Sequence, residues 1–524
     1  MMFGRHIWHT AVVVSVVLGL AACGAGSGST GGSPGVGPTG DPVRGGIGRV
    51  IESAEPRSLD PALLANSWAN STTVGNALYG TLMINDTTTQ EIDYRIATGF
   101  STADGGKTHT LTLREGVVFS DGTPFTAAAV AYNWGRTKDP KLSSPDLPQA
   151  ALIESTSVVD DRTLVVTLTE PVPNFVYAVV TTSLNWIGKP DVLRQGQQAI
   201  DSGPVGAGPF VLEKWARQDR IELVRNERYW DAPRPYLDRL VVRGMPDKAQ
   251  RFNNVSSGAV DVVVEGDSEN LEKAAQQGRQ KGVVALGGGV ALVLNNSRPP
   301  FDDPRARRAL SMAIDPGGIN AALYNGTAEV PESLFAKSSP FHRDIALTKR
   351  SADEAQALFD QLAAEGRALS FTYTSTSPAT RLLGETLQTQ LSAFDNVTVH
   401  VEVLDPSESG VRTVTGEFEA ISSSVIFGEP EPRLWFGFHS KSRGNFSRVN
   451  DPELSAALEK GRTAESETDR TAAYEVVQQR LADLIPVIFY VRATPGFMAN
   501  TNVGGIKQYG LGSLLPDQLW IQGN

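Results

Sequence analysis

The sequence is poor in residues that carry covalent or metal chemistry. Its one cysteine, Cys23, lies close to the N-terminus. The chain can therefore form neither an internal disulfide nor a cysteine-based zinc cage. Histidines occur at His6, His9, His109, His342, His400 and His439. Beyond the first two, no pair stands at a metal-binding spacing. Isolated histidines such as His400 and His439 read as structural or surface groups. Downstream of residue 45 there is no G-x-S-x-G, no H-E-x-x-H and no cysteine, which removes the signatures of a serine hydrolase, a zinc protease and a thiol enzyme. The glycines between Gly24 and Gly32 follow no strand, so they do not form a phosphate loop. These observations predict a protein that is not an enzyme and uses no metal or cofactor. What remains is recognition chemistry, carried by aromatic faces, amides, hydroxyls and carboxylates.

The elements that would position such groups follow from pattern and punctuation. The formal net charge of −11 over 524 residues argues against a nucleic-acid partner, which needs clustered Lys and Arg. Residues 11–22 (AVVVSVVLGLAA) form a short apolar run behind Arg5, too short for a comfortable membrane span but long enough for a signal peptide. The following Leu20-Ala21-Ala22-Cys23 resembles the bacterial lipobox, in which the cysteine takes a lipid and becomes the mature N-terminus. Residues 24–46 are dense in Gly, Ser, Pro and Thr and read as a flexible tether. From there the pattern is mixed α and β. Residues 47–53, 108–114, 162–169 and 397–403 read as strands, and 210–226 as two strands joined by a tight polar turn. Residues 70–83 and 125–138 read as helices. Asp303-Pro304, Ser351 with Glu354, and Asp451-Pro452 are helix starts. Gly366 and Gly461 read as helix stops.

Several segments resemble the bacterial extracellular solute-binding proteins of family 5. Glu55-Pro56-Arg57-Ser58-Leu59-Asp60-Pro61 resembles its opening "SLDP" turn. Residues 104–134 (DGGKTHTLTLREGVVFSDGTPFTAAAVAYNW) resemble its "LREGVKFSDGTPLTAEDV" segment. Residues 206–230 resemble "GTGPY…W…NPDYW", residues 257–261 "SGEVD", and residues 301–315 (FDDPRARRALSMAID) "FDDVRVRQALSYAID". Such turns are mostly scaffold, so they speak for the fold more than for the ligand. The resemblance implies an α/β fold of the two-lobed, type II periplasmic-binding-protein kind, in its large cluster C form with an inserted subdomain. Carried onto this chain, residues 1–22 are the signal peptide, and 23–44 the lipidated cysteine and tether. Residues 45–80, 201–286 and 487–524 are lobe one, 81–200 its insert, and 287–486 lobe two. Hinges are expected near 287–296 and 484–490. The resemblance further implies a monomeric lipoprotein on the outer face of the bacterial cell membrane. It would capture a peptide or similar small molecule and deliver it to an ABC permease with its ATPase. An accessory lipoprotein of envelope assembly or sensing is the alternative use of the same fold.

The resemblance also points to the ligand. Residues 420–439 (AISSSVIFGEPEPRLWFGFH) resemble the family's ligand-proximal loop of lobe two. In peptide-binding relatives an Asp two residues before the Gly428-Glu429-Pro430 turn pairs with the ligand's α-ammonium. Here that position is Ile426. A buried ammonium needs a charged partner, so either Glu429 or Glu431 replaces it or the ligand offers no free amine there. Phe427 and Trp435 are further candidate contacts, Trp435 for stacking, although most aromatics in such a loop are core. The stretch Asn66–Ser71 adds Ser67, Trp68 and Asn70, and Trp186 is a weaker candidate. Val290, Ala291 and Leu292 stand where relatives often carry tyrosines.

Overall fold

The computed structural model describes residues 35–66 and 71–523. Cys23 and the proposed leader lie outside the described residues, as do Ser67, Trp68 and Asn70. No helix among the described residues is long and apolar enough to cross a membrane.

Local signals set most element starts. The Asp303 carboxylate accepts the Arg305 N–H and opens the helix Pro304–Ala313, whose Ala306, Ala309, Leu310 and Ala313 are buried. Ser351 accepts the Glu354 N–H and opens Ala352–Ala364, and Gly366 follows in the left-handed region at φ 76°. Asp451 caps Pro452–Thr463 through the Leu454 N–H. Gly461 does not stop that helix, as its residue type suggested. A Cβ there would lie 2.8 Å from the Tyr474 ring. Glycine serves here to let the helix Glu467–Leu484 pack closely.

Three sheets organise the chain. The largest has seven strands, in the order Gln280–Val283, Gly496–Ala499, Val262–Glu265, Ile47–Glu52, Arg239–Gly244, Arg220–Arg225 and Phe210–Ala216. Val50, Leu223, Leu240, Val262 and Val264 form its apolar core. A four-stranded antiparallel sheet, Ala97–Thr102, Thr108–Leu113, Thr163–Leu168 and Ile153–Val158, belongs to the insert. The helix Ala127–Thr137 packs on it through the fully buried Trp134. The third sheet has five strands, Val397–Val403, Leu369–Ser375, Ala420–Phe427, Gly287–Leu294 and Val487–Val491.

The last of these strands shifts the expected boundary. Val487–Val491 pairs antiparallel with Gly287–Leu294 and is buried along its whole length. Although it is the edge strand, such an unbroken apolar run suits a sheet covered on both faces. The crossings between the two large sheets therefore run through residues 284–286 and 492–495, just outside the paired strands. Arg492 ties them together. Its guanidinium donates to the carbonyls of Leu286 and Gly288 at 3.2 Å each and of Ser333 at 3.0 Å, and pairs with Glu329 at 2.7 Å. Away from the crossings, the lobes meet through the Glu170–Arg462 ion pair at 2.7 Å and a Ser268–Thr327 hydroxyl contact at 2.9 Å.

Candidate ligand-binding site

Between the lobes lies a cavity of about 280 Å³. Lobe one and its insert contribute Asn66, Asp146, Thr181 and Leu511, and lobe two contributes residues from the strand Ala420–Phe427 and the helix Arg433–Phe438. The volume lies just below the usual range for small-molecule sites, about 300–1,000 Å³.

The short helix divides its side chains by phase. Arg433, Phe436 and Gly437 stand at i, i+3 and i+4 and line the cavity, the spacing that puts residues on one helix face. Leu434 turns into the core of lobe two, and the buried Phe438 packs in that core while also touching the cavity wall. Trp435 takes the remaining direction. Its indole stacks on His439 with centroids 4.5 Å apart, receives the Arg462 guanidinium 4.4 Å from its ring centre, and donates to Glu459 at 3.0 Å. Trp435 therefore anchors neighbouring helices, and the aromatics lining the cavity are Phe436, Phe438 and Phe446.

The other sequence candidates separate in the same way. Ile426 lines the cavity and packs against Val284, Leu286 and Leu511. The position that carries an aspartate in peptide-binding relatives thus makes an apolar seal against a crossing segment. Phe427 is fully buried against Phe335, with ring centroids 5.2 Å apart. Trp186 is buried over Gly75 in the core of lobe one and donates to Asn76 at 2.9 Å. Neither ring lines the cavity. Asn66 lines it, but its amide is already committed to the Val180 carbonyl and the Tyr509 and Ser513 hydroxyls.

The acidic residues after the turn are committed as well. Glu429 is ion-paired with Arg470. Glu431 lies 3.2 Å from the Arg462 Nε, without hydrogen-bond geometry between those two atoms. Burial pushes the Glu431 carboxyl up to about 8 against the opposing pull of Arg462. Neither glutamate is left to take the place of the missing aspartate. A second cavity of about 300 Å³, beside Thr87–Gln90 and Tyr177, includes Glu429 and Arg470, which already satisfy each other.

Two charges in the first cavity are different. The Arg433 side chain makes no hydrogen bond or ion pair to another described residue, and its Nε is buried and unpartnered. Burial pulls its basicity down, with Asp146 the opposing influence. Across the cavity, Asp146 is buried and accepts one hydrogen bond, from the Ser183 N–H at 2.8 Å. Burial raises its carboxyl above the usual range, opposed by that bond and by Arg433. The two face the same space without forming an ion pair. Sequence reasoning missed both. The signal for Arg433 was its phase in a cavity-facing helix; Asp146 left none, because its place depends on a fold contact distant in sequence.

Two lobes joined by two crossings, with a cavity between them, define a type II periplasmic-binding-protein architecture. The chain belongs to the bacterial extracellular solute-binding proteins, family 5, whose middle-region model matches residues 91–445. It is 24% identical over 479 residues to the probable D,D-dipeptide-binding periplasmic protein DdpA of Escherichia coli K12, covering 87% of this chain and 90% of that one. It is 29% identical over 276 residues to the glutathione-binding protein GsiB of Salmonella typhi, a match spanning 50% of this chain and 52% of that protein. Among solved structures, Helicobacter pylori DppA in complex with the peptide STSA superposes with a TM-score of 0.77 at 22% identity, covering 92% of this chain and 99% of that one. AgaA of A. tumefacien R10 in complex with agropinic acid gives a TM-score of 0.78 at 20% identity, with 91% and 99% covered. At such identities the superpositions establish the fold. The similar proteins are binding proteins, in line with the sparse catalytic chemistry of the sequence.

Proposed function

We propose that this chain is the substrate-binding lipoprotein of an ABC importer, taking up a small peptide or peptide-like molecule. The observation that carries this reading is the cavity walled by both lobes, with Phe436, Val425 and Leu511 as apolar surface and Ser423, Ser424 and Thr181 as hydroxyls. A ligand held between two lobes favours the closed form by its contacts to both, and closure is what a partner can sense. The permease and ATPase would be separate chains. Cys23 would hold the protein on the outer face of the membrane through its lipid, with residues 24–44 as tether. The protein would work as a monomer.

Native mass spectrometry of the full-length protein, gently released in detergent, tests the ligand class. A co-purified peptide mass, with affinity lowered about tenfold in Phe436→Ala, is the expected result. A non-peptide mass would keep importer function and change the nutrient. Absence of any ligand, with no thermal shift across peptides and sugars, would count against solute capture and favour an accessory lipoprotein. Membrane fractionation of Cys23→Ser should move the protein from the membrane to the soluble fraction; retention there would refute the anchor.

A further inference from the structure

The ligand is expected to be held by charges that the family resemblance does not point to. Arg433 of lobe two and Asp146 of the insert face one cavity, carry opposite charge, and leave each other unpaired. Every neighbouring buried arginine is treated otherwise. Arg462 has Glu170 and Glu431, Arg470 has Glu429, and Arg492 has Glu329 and three carbonyls. A buried cation without a partner is costly, and a fold retains such a group where something else completes it.

We propose that Arg433 and Asp146 are the two poles of a subsite for a small zwitterion of about dipeptide size: the ligand carboxylate lies on Arg433 and its ammonium on Asp146. This inference rests on the importer reading and specifies its substrate. The guanidinium offers a planar fork suited to a carboxylate. The carboxylate of Asp146 has accepted one backbone N–H and has further lone pairs for an ammonium. Burial pulls both groups toward neutrality, and a ligand supplying both counter-charges reverses that pull. The polarity is also set by what is missing. The position in lobe two that would receive an ammonium is Ile426, sealed against Leu286 and Leu511, while the fixed charge in lobe two is positive. The ligand thus lies with its acid toward lobe two and its amine toward lobe one, and it bridges the lobes electrostatically. The 280 Å³ volume leaves little room for a longer chain enclosed between those poles.

The test uses the full-length protein and three dipeptide libraries: unmodified, N-acetylated and C-amidated, read by competitive native mass spectrometry and isothermal titration. Binding to the unmodified library is expected, with each blocked library weakened about 10- to 100-fold on the wild-type chain. Arg433→Met should bind free acids and C-amides equally while still rejecting N-acetyl compounds. Asp146→Asn should show the mirror pattern. Circular dichroism confirms that each variant is folded, and the wild-type comparison stands without them. Equal binding of either blocked library to the wild type would overturn the proposal. So would the reverse pattern in the variants, which would turn the ligand around. If an uncharged ligand binds instead and is lost in Phe436→Ala, importer function survives and the zwitterion subsite fails. If nothing binds, both fail.

Discussion

Arg462 and Arg433 sit on neighbouring helices of lobe two, and their surroundings are opposite. Arg462 is almost wholly enclosed, 1% exposed, between Glu431, the Trp435 face and Glu170 from across the cleft. Arg433 is half-buried at the cavity, with its Nε unpartnered. One guanidinium is spent on holding helices and lobes together, whereas the other is left available. The difference separates residues that maintain the fold from those free to recognise something. It shows why the richest cluster of charges and aromatics in this loop is already engaged in contacts of its own.

The contrast breaks most sharply at Arg462. Arg462→Met leaves Glu431 facing no cation and removes the ion pair to Glu170; above pH 8, where Glu431 is ionised, it should cost about 3–5 kcal/mol of stability, read as a lower midpoint in urea unfolding. A loss as small as that of an exposed arginine would mean that the cluster is not structural. Trp435→Ala should come next, at about 2–3 kcal/mol, below a fully buried aromatic because the indole is partly open. Its dipeptide affinity should stay near wild type; a large affinity loss with intact stability would return Trp435 to the binding surface.

Glu431 sharpens the comparison by pH. Its folded carboxyl stands near 8, above the ordinary glutamate value of about 4.3. The folded state therefore binds the extra proton. The stabilisation is fully present below the unfolded value and is lost as pH rises through 8, by up to about 1.4 kcal/mol per pH unit between. Urea midpoints of the wild type should fall from pH 5 to 8, and Glu431→Gln should flatten that slope. An unchanged slope would mean that Arg462 keeps the group ionised throughout. The smallest effect on stability is expected at Arg433. Arg433→Met replaces a half-buried cation, unpaired among the described residues, with an apolar chain of similar length, so stability should change by less than about 1 kcal/mol. A loss of several kcal/mol there would make Arg433 a structural residue.

Much of the scaffold was legible in the sequence because local chemistry writes it. Asp303, Ser351 and Asp451 cap the helices they were read to cap, and the turn in 210–226 joins Phe210–Ala216 to Arg220–Arg225. What failed was decided by distant partners. Val487–Val491 looked like the start of the return to lobe one until its pairing with Gly287–Leu294 fixed it in the other sheet. Gly461 looked like a stop, but Tyr474 needs the space. Trp435, Glu429 and Glu431 had the right types for recognition, yet Arg462 and Arg470, further along the chain, occupy them. A one-dimensional reading shows what a residue offers but not what has already accepted the offer.

The cross-tie at Arg492 bears on how the molecule moves. Because one guanidinium on the returning crossing grips the Leu286 carbonyl of the incoming one and the Gly288 carbonyl of the strand after it, the pair is tied as a flat ribbon and not left as two separate threads. A ribbon bends easily about its width and resists torsion. Such a tie would reduce relative motion of the lobes towards a single angular degree of freedom, and a permease of the kind proposed above would then need to gauge only one angle.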